Sequence, residues 1–302
     1  MGQMTSIPFL KKSQRRWLAE FTACFTAHDL EGQATATRLG ATSHFGPLRV
    51  QRPFFPEGAD LAHIYLLHPP GGLVGGDHLN IELEVQSSAK VLVTTPSAGK
   101  LYRNITDMSQ GQTVSATIAD GGVLEWLPQE NILFDGATGE LCSRIALYGT
   151  AIYSGWEIIC LGRPEGEKPF RSGSLRQRLE ITRDGSPLFI DQINFSADDA
   201  MLANRAGLAD QRVTGAFVVT EDVLGNRELT AQIHAWQERI NAGEAAGNPR
   251  GLVAVTQKPG VFVARLLTDK AEWARDRFQE LWTQLRPAIV QRPACVPRIW
   301  RT

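Results

Sequence analysis

Residues 79–85, LNIELEV, alternate apolar and polar without exception: Leu79, Ile81, Leu83 and Val85 share one face, and Asn80, Glu82 and Glu84 the other. Successive side chains of extended backbone point to opposite sides, so a strict two-residue period marks a strand with one face buried. Segment 175–181 repeats the pattern, with Leu175, Gln177, Leu179 and Ile181 opposite Arg176, Arg178 and Glu180. Asp184 and Gly185 then turn the chain into Leu188, Phe189 and Ile190, which makes a hairpin. Further strands are expected at 17–26, 64–67, 91–95, 113–118, 145–152 and 217–220, and a second hairpin at Lys258, Pro259 and Gly260. Trp17, Phe21 and Phe25 also repeat at helical spacing, but Thr22, Thr26 and the alternation with Ala19 and Ala23 favour a strand there.

Helical periodicity is confined to the C-terminal half. Leu229, Ile233, Trp236 and Ile240 form one stripe over about 228–242, followed by an Ala/Gly/Asn-rich stretch through Pro249, with 243–250 the one linker-like segment. A second helix is expected over 268–286, capped by Thr268, with Asp269 and Glu272 in its first turn and a stop at Pro287. Trp273, Phe278, Leu281, Trp282 and Leu285 supply its buried face. Many short strands with a few late helices lack the alternation of strand and helix that builds a nucleotide-binding sheet, so the class is mainly β.

With 302 residues, 43% hydrophobic and 21% charged, the chain can bury a sizeable core without staples. One large domain over 1–302 or two tightly packed ones both fit that length. A net charge of -1 gives no field to draw nucleic acid or an anionic membrane. Cys24, Cys142, Cys160 and Cys295 are far apart and form no CxxC pair, as expected of reduced thiols in a cytoplasm. No stretch suits a signal peptide or a membrane span, and the short myristoylation pattern of Gly2 and Ser6 is too undemanding to use.

Tests for chemistry mostly fail. Gly99-Lys100 lacks the earlier glycine and following Ser or Thr of a phosphate loop. There is no GxSxG elbow, and Ser172-Gly173-Ser174 reads as a turn. His63, His68 and His78 lack metal-motif spacing. What stands out is 68–79, HPPGGLVGGDHL, with two prolines and four glycines around Asp77. That carboxylate can cap the loop or meet a cation. Segments 94–104 and 124–136 are also unusual. The second sets Glu125, Glu130 and Asp135 among large apolar residues, where an acid is either solvated on an edge strand or hydrogen-bonded, paired or metal-linked.

Together with 46–54, GPLRVQRPF, and 297–300, PRIW, these stretches resemble the urease accessory protein D family, also called H, in order along nearly the whole chain. The sequence departs from the family pattern at Ser97-Ala98-Gly99 and at Asn131, and little is recognisable over 197–248. The resemblance implies one domain over 1–302, a β-helical stack of strands with a few C-terminal helices packed on it, and no catalysis. It further implies a scaffold that binds the urease structural subunits, recruits accessory proteins F and G, and passes a transient nickel ion without a permanently bound cofactor. On that resemblance Asp77, Thr95 and Glu130 line the nickel passage, and Glu125 and His78 are weaker candidates. Lys100, Tyr102 and Arg103 belong to passage or interface. The rivals are a β-rich binding module with no metal role and a hydrolase using Asp77, Glu125 and Glu130, which would require those acids to converge in one pocket.

Overall fold

A computed structural model describes residues 16–29, 35–163, 166, 168–245 and 251–301. Strands β1 (Trp17–Asp29), β2 (Thr35–Phe45), β5 (Asp77–Val85), β8 (Gln110–Ile118), β11 (Ala137–Leu147), β13 (Gly173–Arg183) and β14 (Ser186–Ser196) form a seven-stranded sheet in the order β14-β13-β11-β8-β5-β1-β2. The second sheet runs β16 (Leu252–Lys258), β17 (Val261–Thr268), β15 (Val213–Val219), β12 (Ile152–Leu161), β9 (Val123–Trp126), β6 (Lys90–Thr94), β4 (Leu61–Leu67) and β3 (Arg49–Val50). Two short strands, β7 (Gly99–Leu101) and β10 (Asn131–Leu133), pair with each other at its side, and β10 also pairs with β12.

From β4 to β13 the chain steps back and forth between the sheets, and each return adds a parallel strand: β5-β8-β11-β13 on one side, β4-β6-β9-β12 on the other. Parallel neighbours need a crossover, which in most proteins is a helix. Here it is a strand of the opposing sheet, so the chain winds as a β-helical coil, as the family resemblance implied. Antiparallel hairpins close the ends, with β2 on β1, β14 on β13, and β15, β17 and β16 beyond β12.

The inward faces carry the core. Ile81, Leu83 and Val85 of β5 meet Val114, Ala116 and Ile118 of β8 across the ladder, opposite Val91, Val93, Leu124 and Trp126 of the second sheet. A second apolar layer lies on the outer side of the second sheet. There Trp156, Phe217 and Leu266 pack against Phe278, Leu281 and Trp282 of α2 (Ala271–Val290), with Ile233 and Trp236 of α1 (Arg227–Ala245) alongside. The mainly β class and the position of both helices agree with the sequence reading, and β1 is a strand with Ala19, Phe21, Ala23 and Phe25 buried in alternation. Among the described residues no helix is long and apolar enough to cross a membrane.

Several local expectations are corrected. The strand expected at 145–152 straddles a turn at 148–150, where Gly149 has a φ of 54°. Ser172-Gly173-Ser174 leads into β13 instead of forming a turn. Thr268 ends β17 and is not the cap of α2; Lys270 occupies that position, its N–H donating to Thr268 Oγ1 at 3.3 Å. Pro287 lies inside α2, which stops only where Gln291 turns left-handed at a φ of 57°. Trp273 is half-buried rather than core. The linker expected at 243–250 is helical through Ala245, and its remainder, like Gly2 and Ser6, falls outside the described residues or at their edge.

Candidate functional site

Asp77 opens β5 directly after the glycine-rich loop and is 8% exposed. Its Oδ2 accepts the Val74 N–H at 2.9 Å, so the carboxylate does cap its own loop, as one sequence reading had it. The glycines serve close approach: a Cβ on Gly72 would sit 2.3 Å from the Tyr102 ring. In the ladder Asp77 sits beside Trp17 of β1, and the buried Gln110 Oε1 and the His68 Nε2 have no hydrogen-bond partner. Burial lowers the His68 pKa, and the neighbouring Asp77 charge offsets part of that.

Thr95 Oγ1 accepts from the Gln129 N–H at 2.9 Å and donates to the Ser97 carbonyl. With Lys100, Gln112 and His68 it lines a cavity of about 70 Å³ that runs inward between the sheets. Tyr102, half-exposed, packs on Phe134 with ring centres 5.0 Å apart, and Arg103 pairs with Asp135 at 2.8 Å on the surface.

The other acids face elsewhere. Along β9, Leu124 and Trp126 point into the coil, so Glu125 points out towards α2 and is 1% exposed. Arg286 grips both of its oxygens at 2.9–3.1 Å, and Trp282 Nε1 donates to it at 2.7 Å. The same guanidinium bonds Glu57, which in turn meets His63 Nε2 at 2.7 Å. Glu130, 6% exposed, pairs with Arg275 of α2 at 2.7 Å. Of the two readings for these acids, the paired one holds, not the solvated edge. His78 alternates with Asp77 and lies on the outer face of the first sheet, bonded to Thr113 Oγ1 at 2.9 Å. Thr95 and Lys100 thus share one cavity, and Asp77 lies outside its lining but beside His68 of its wall, whereas Glu125, Glu130 and His78 do not join them in one pocket.

Sequence reasoning missed a second interior group. Between the two sheets lies an open cleft of about 870 Å³, lined on one side by Gln177, Leu179 and Asp191 and on the other by Glu157, Ala216 and Arg265. Glu157 lines this cleft, partly buried, and accepts hydrogen bonds from Ser143 Oγ and Gln177 Nε2. Burial raises its pKa, those two bonds oppose the rise, and the Asp191 charge adds to it. Tyr153 lies four residues earlier on the same face, its ring over Gly155 and its fully buried hydroxyl without a partner. The available signal was a lone acid inside the apolar run 152–161.

The two cavities are neighbours. Leu79, Gln112, Leu141 and Gln177 stand opposite one another across β5, β8, β11 and β13; Gln112 and Leu141 line the narrow cavity and Gln177 the cleft. Adjacent strands are about 4.8 Å apart, so one strand spacing separates the two spaces. Among the described residues, no group of three or more His, Cys, Asp or Glu side chains is placed to hold a metal ion.

A wound two-sheet β coil with polar cavities in its interior and helices on one outer face is thus the class of protein this chain represents. The family profile described as UreD urease accessory protein matches residues 24–301. A protein of Saccharophagus degradans named urease accessory protein UreD is 41% identical, covering 100% of this chain and 99% of its own length. A Brucella anthropi protein named urease accessory protein UreD 2 is 40% identical over 95% of this chain and 98% of its own, and a Pseudoalteromonas translucida protein named urease accessory protein UreD is 38% identical over 96% and 93%. The chain belongs to the urease accessory protein D family.

Proposed function

We propose that this chain is a urease maturation factor: a non-catalytic cytoplasmic scaffold that binds the urease structural subunits, recruits accessory proteins F and G, and passes nickel through the space between its two sheets. The relatives' names support the maturation role. The observation that supports the transit role is the set of polar side chains inside the coil: Thr95, Lys100 and Gln112 line the narrow cavity, with Asp77 beside His68 of its wall, and Gln177, Glu157 and Asp191 line the adjoining cleft. Carboxylate, amide and hydroxyl oxygens hold a divalent ion loosely, whereas a closed Cys and His cage would retain it. Lys100, Tyr102 and Arg103 flank the narrow end and form the surface a partner would cover. Glu130, at the rim and paired with Arg275, and Glu125, in the helix-side network, are the less direct participants, and His78 faces away.

A hydrolase built on Asp77, Glu125 and Glu130 would need those acids together, and the second sheet stands between Asp77 and the Glu125–Arg286 pair. A scaffold without metal transit differs from the proposal in one respect, the role of the interior acids. Asp77→Asn keeps size and removes charge. It should leave the complex with urease intact in a pull-down and lower nickel per urease active site, with Glu130→Gln acting in the same direction less strongly. Normal loading with both acids neutralised would leave the scaffold role standing and end the transit role of these two residues.

A further inference from the structure

The wall of the narrow cavity is made of two irregular stretches, 95–98 between β6 and β7 and 127–130 between β9 and β10. Thr95, Ser97, Pro128 and Gln129 of these stretches line the space. Neither stretch belongs to a strand, so its polar groups find partners one at a time instead of through a ladder. They tie the stretches to each other first: Thr95 Oγ1 accepts the Gln129 N–H at 2.9 Å, and the Glu130 carbonyl accepts the Gly99 N–H at 2.9 Å.

Three more donors reach the same wall from the helix side. Trp156 Nε1 donates to the Pro128 carbonyl at 2.7 Å. Trp300 Nε1 donates to Thr94 Oγ1 at 2.8 Å, and the Thr94 hydroxyl in turn donates to the Leu127 carbonyl at 2.6 Å. Arg275 of α2 holds two consecutive residues, its Nη1 donating to Gln129 Oε1 at 3.1 Å and to Glu130 Oε2 at 2.7 Å. The Arg275 side chain is 35% exposed and that of Glu130 8%, so this pair runs from the surface inward to the wall. Glu130 itself does not line the cavity, although Gln129 and Asn131 on either side of it do. Its carboxylate is turned to Arg275 instead.

We propose that Glu130 and Arg275 are positioning residues: together they latch segment 127–130 to α2 and so hold the narrow cavity open, and Glu130 does not ligate the ion. The proposal rests on the transit reading and deepens it. A space of about 70 Å³ has room for roughly five water molecules, so a small inward movement of its wall closes it. The same movement misplaces the Thr95 hydroxyl, because the Gln129 N–H that orients it belongs to the latched segment. A polar group on an irregular stretch keeps its aim only when the bonds behind it are made.

The two roles open to Glu130 predict opposite outcomes for Arg275→Gln. A carboxylate that ligates nickel is freed by that change, so nickel per urease active site stays level or rises; a carboxylate that positions the wall loses its anchor, and loading falls. The test is hydrogen exchange of the full chain beside nickel loading of urease matured with each variant. Arg275→Gln and Glu130→Gln should each speed exchange of the Gln129 and Gly99 amides about fivefold, the upper scale for a partly exposed pair, with the β5 amides unchanged. Each should lower loading with the urease pull-down intact, and the double variant should be no worse than either single one. Arg275→Lys, which keeps the charge without the planar guanidinium, should fall between. Normal loading by Arg275→Gln beside poor loading by Glu130→Gln overturns the proposal, as does unchanged exchange at the two amides. Equal acceleration of the β5 amides overturns it too, since the loss would then be one of general stability. If Asp77→Asn loads normally the transit reading fails by itself, and faster exchange confined to the wall in Arg275→Gln still supports the latch.

Discussion

Arg286 shows how far a single side chain can determine an arrangement. It is 0% exposed, yet two carboxylates, Glu57 and Glu125, and the Pro293 carbonyl surround it, and the Trp282 ring lies 5.1 Å from its guanidinium carbon. Burial alone would raise the Glu57 carboxyl, but hydrogen bonds from His63 and Arg286 outweigh it and hold the pKa below its ordinary value. Replacing Arg286 with Met leaves two buried acids without their cation and should cost about 3–5 kcal/mol in urea unfolding. Glu157 behaves oppositely, because its folded pKa is raised. The stability such a group contributes is fully present below the unfolded value of about 4.3 and is lost as pH rises through the folded value. Glu157→Gln should therefore melt higher than wild type at neutral pH, and the difference should shrink on acidification towards pH 4. An equal gain at both pH values would mean that Glu157 is not raised.

At the scale of elements, the half-buried strands were legible and the doubly buried ones were not. The first sheet has one face on the core and one partly open, so β5 and β13 announce themselves through alternation. The second sheet is covered on both faces, and β12 reads as a nearly unbroken apolar run in which no period survives. That is why the strand expected at 145–152 was drawn across a turn, and why Glu157 was overlooked. Asp77 was singled out because its glycine-rich loop is conspicuous. Glu125 and Glu130 were recognised as unusual for the right reason, since both are buried, but their partners Arg286 and Arg275 lie some 145 or more residues away and no local pattern could name them. The coil also depends on small residues where strands crowd. A Cβ on Gly111 would come within 2.0 Å of the Glu140 carbonyl oxygen, a backbone atom that cannot swing aside. Gly111→Ala should thus destabilise the fold by about 1–3 kcal/mol through forced separation of β8 and β11. Chemical denaturation measures this, and an unchanged midpoint would mean that the ladder yields easily.

For the whole molecule, winding and function are linked. A coil of parallel strands has an interior that continues from one turn to the next, so side chains at matching register, such as Gln112 and Gln177 with Leu79 and Leu141 in the same row, line up along it. A sandwich of hairpins would not produce that file, and a fold with its polar groups outside would bind partners without conducting anything. The central claim is that nickel travels between the sheets, and the most direct measurement is nickel per active site in urease matured with the wild-type chain, Asp77→Asn or Glu157→Gln, alongside a pull-down of urease with each variant. The account predicts intact complexes with both variants and lowered nickel from both, even though Glu157→Gln is the more stable protein at neutral pH. Full nickel loading by Asp77→Asn and Glu157→Gln, with the complexes equally intact, would contradict it.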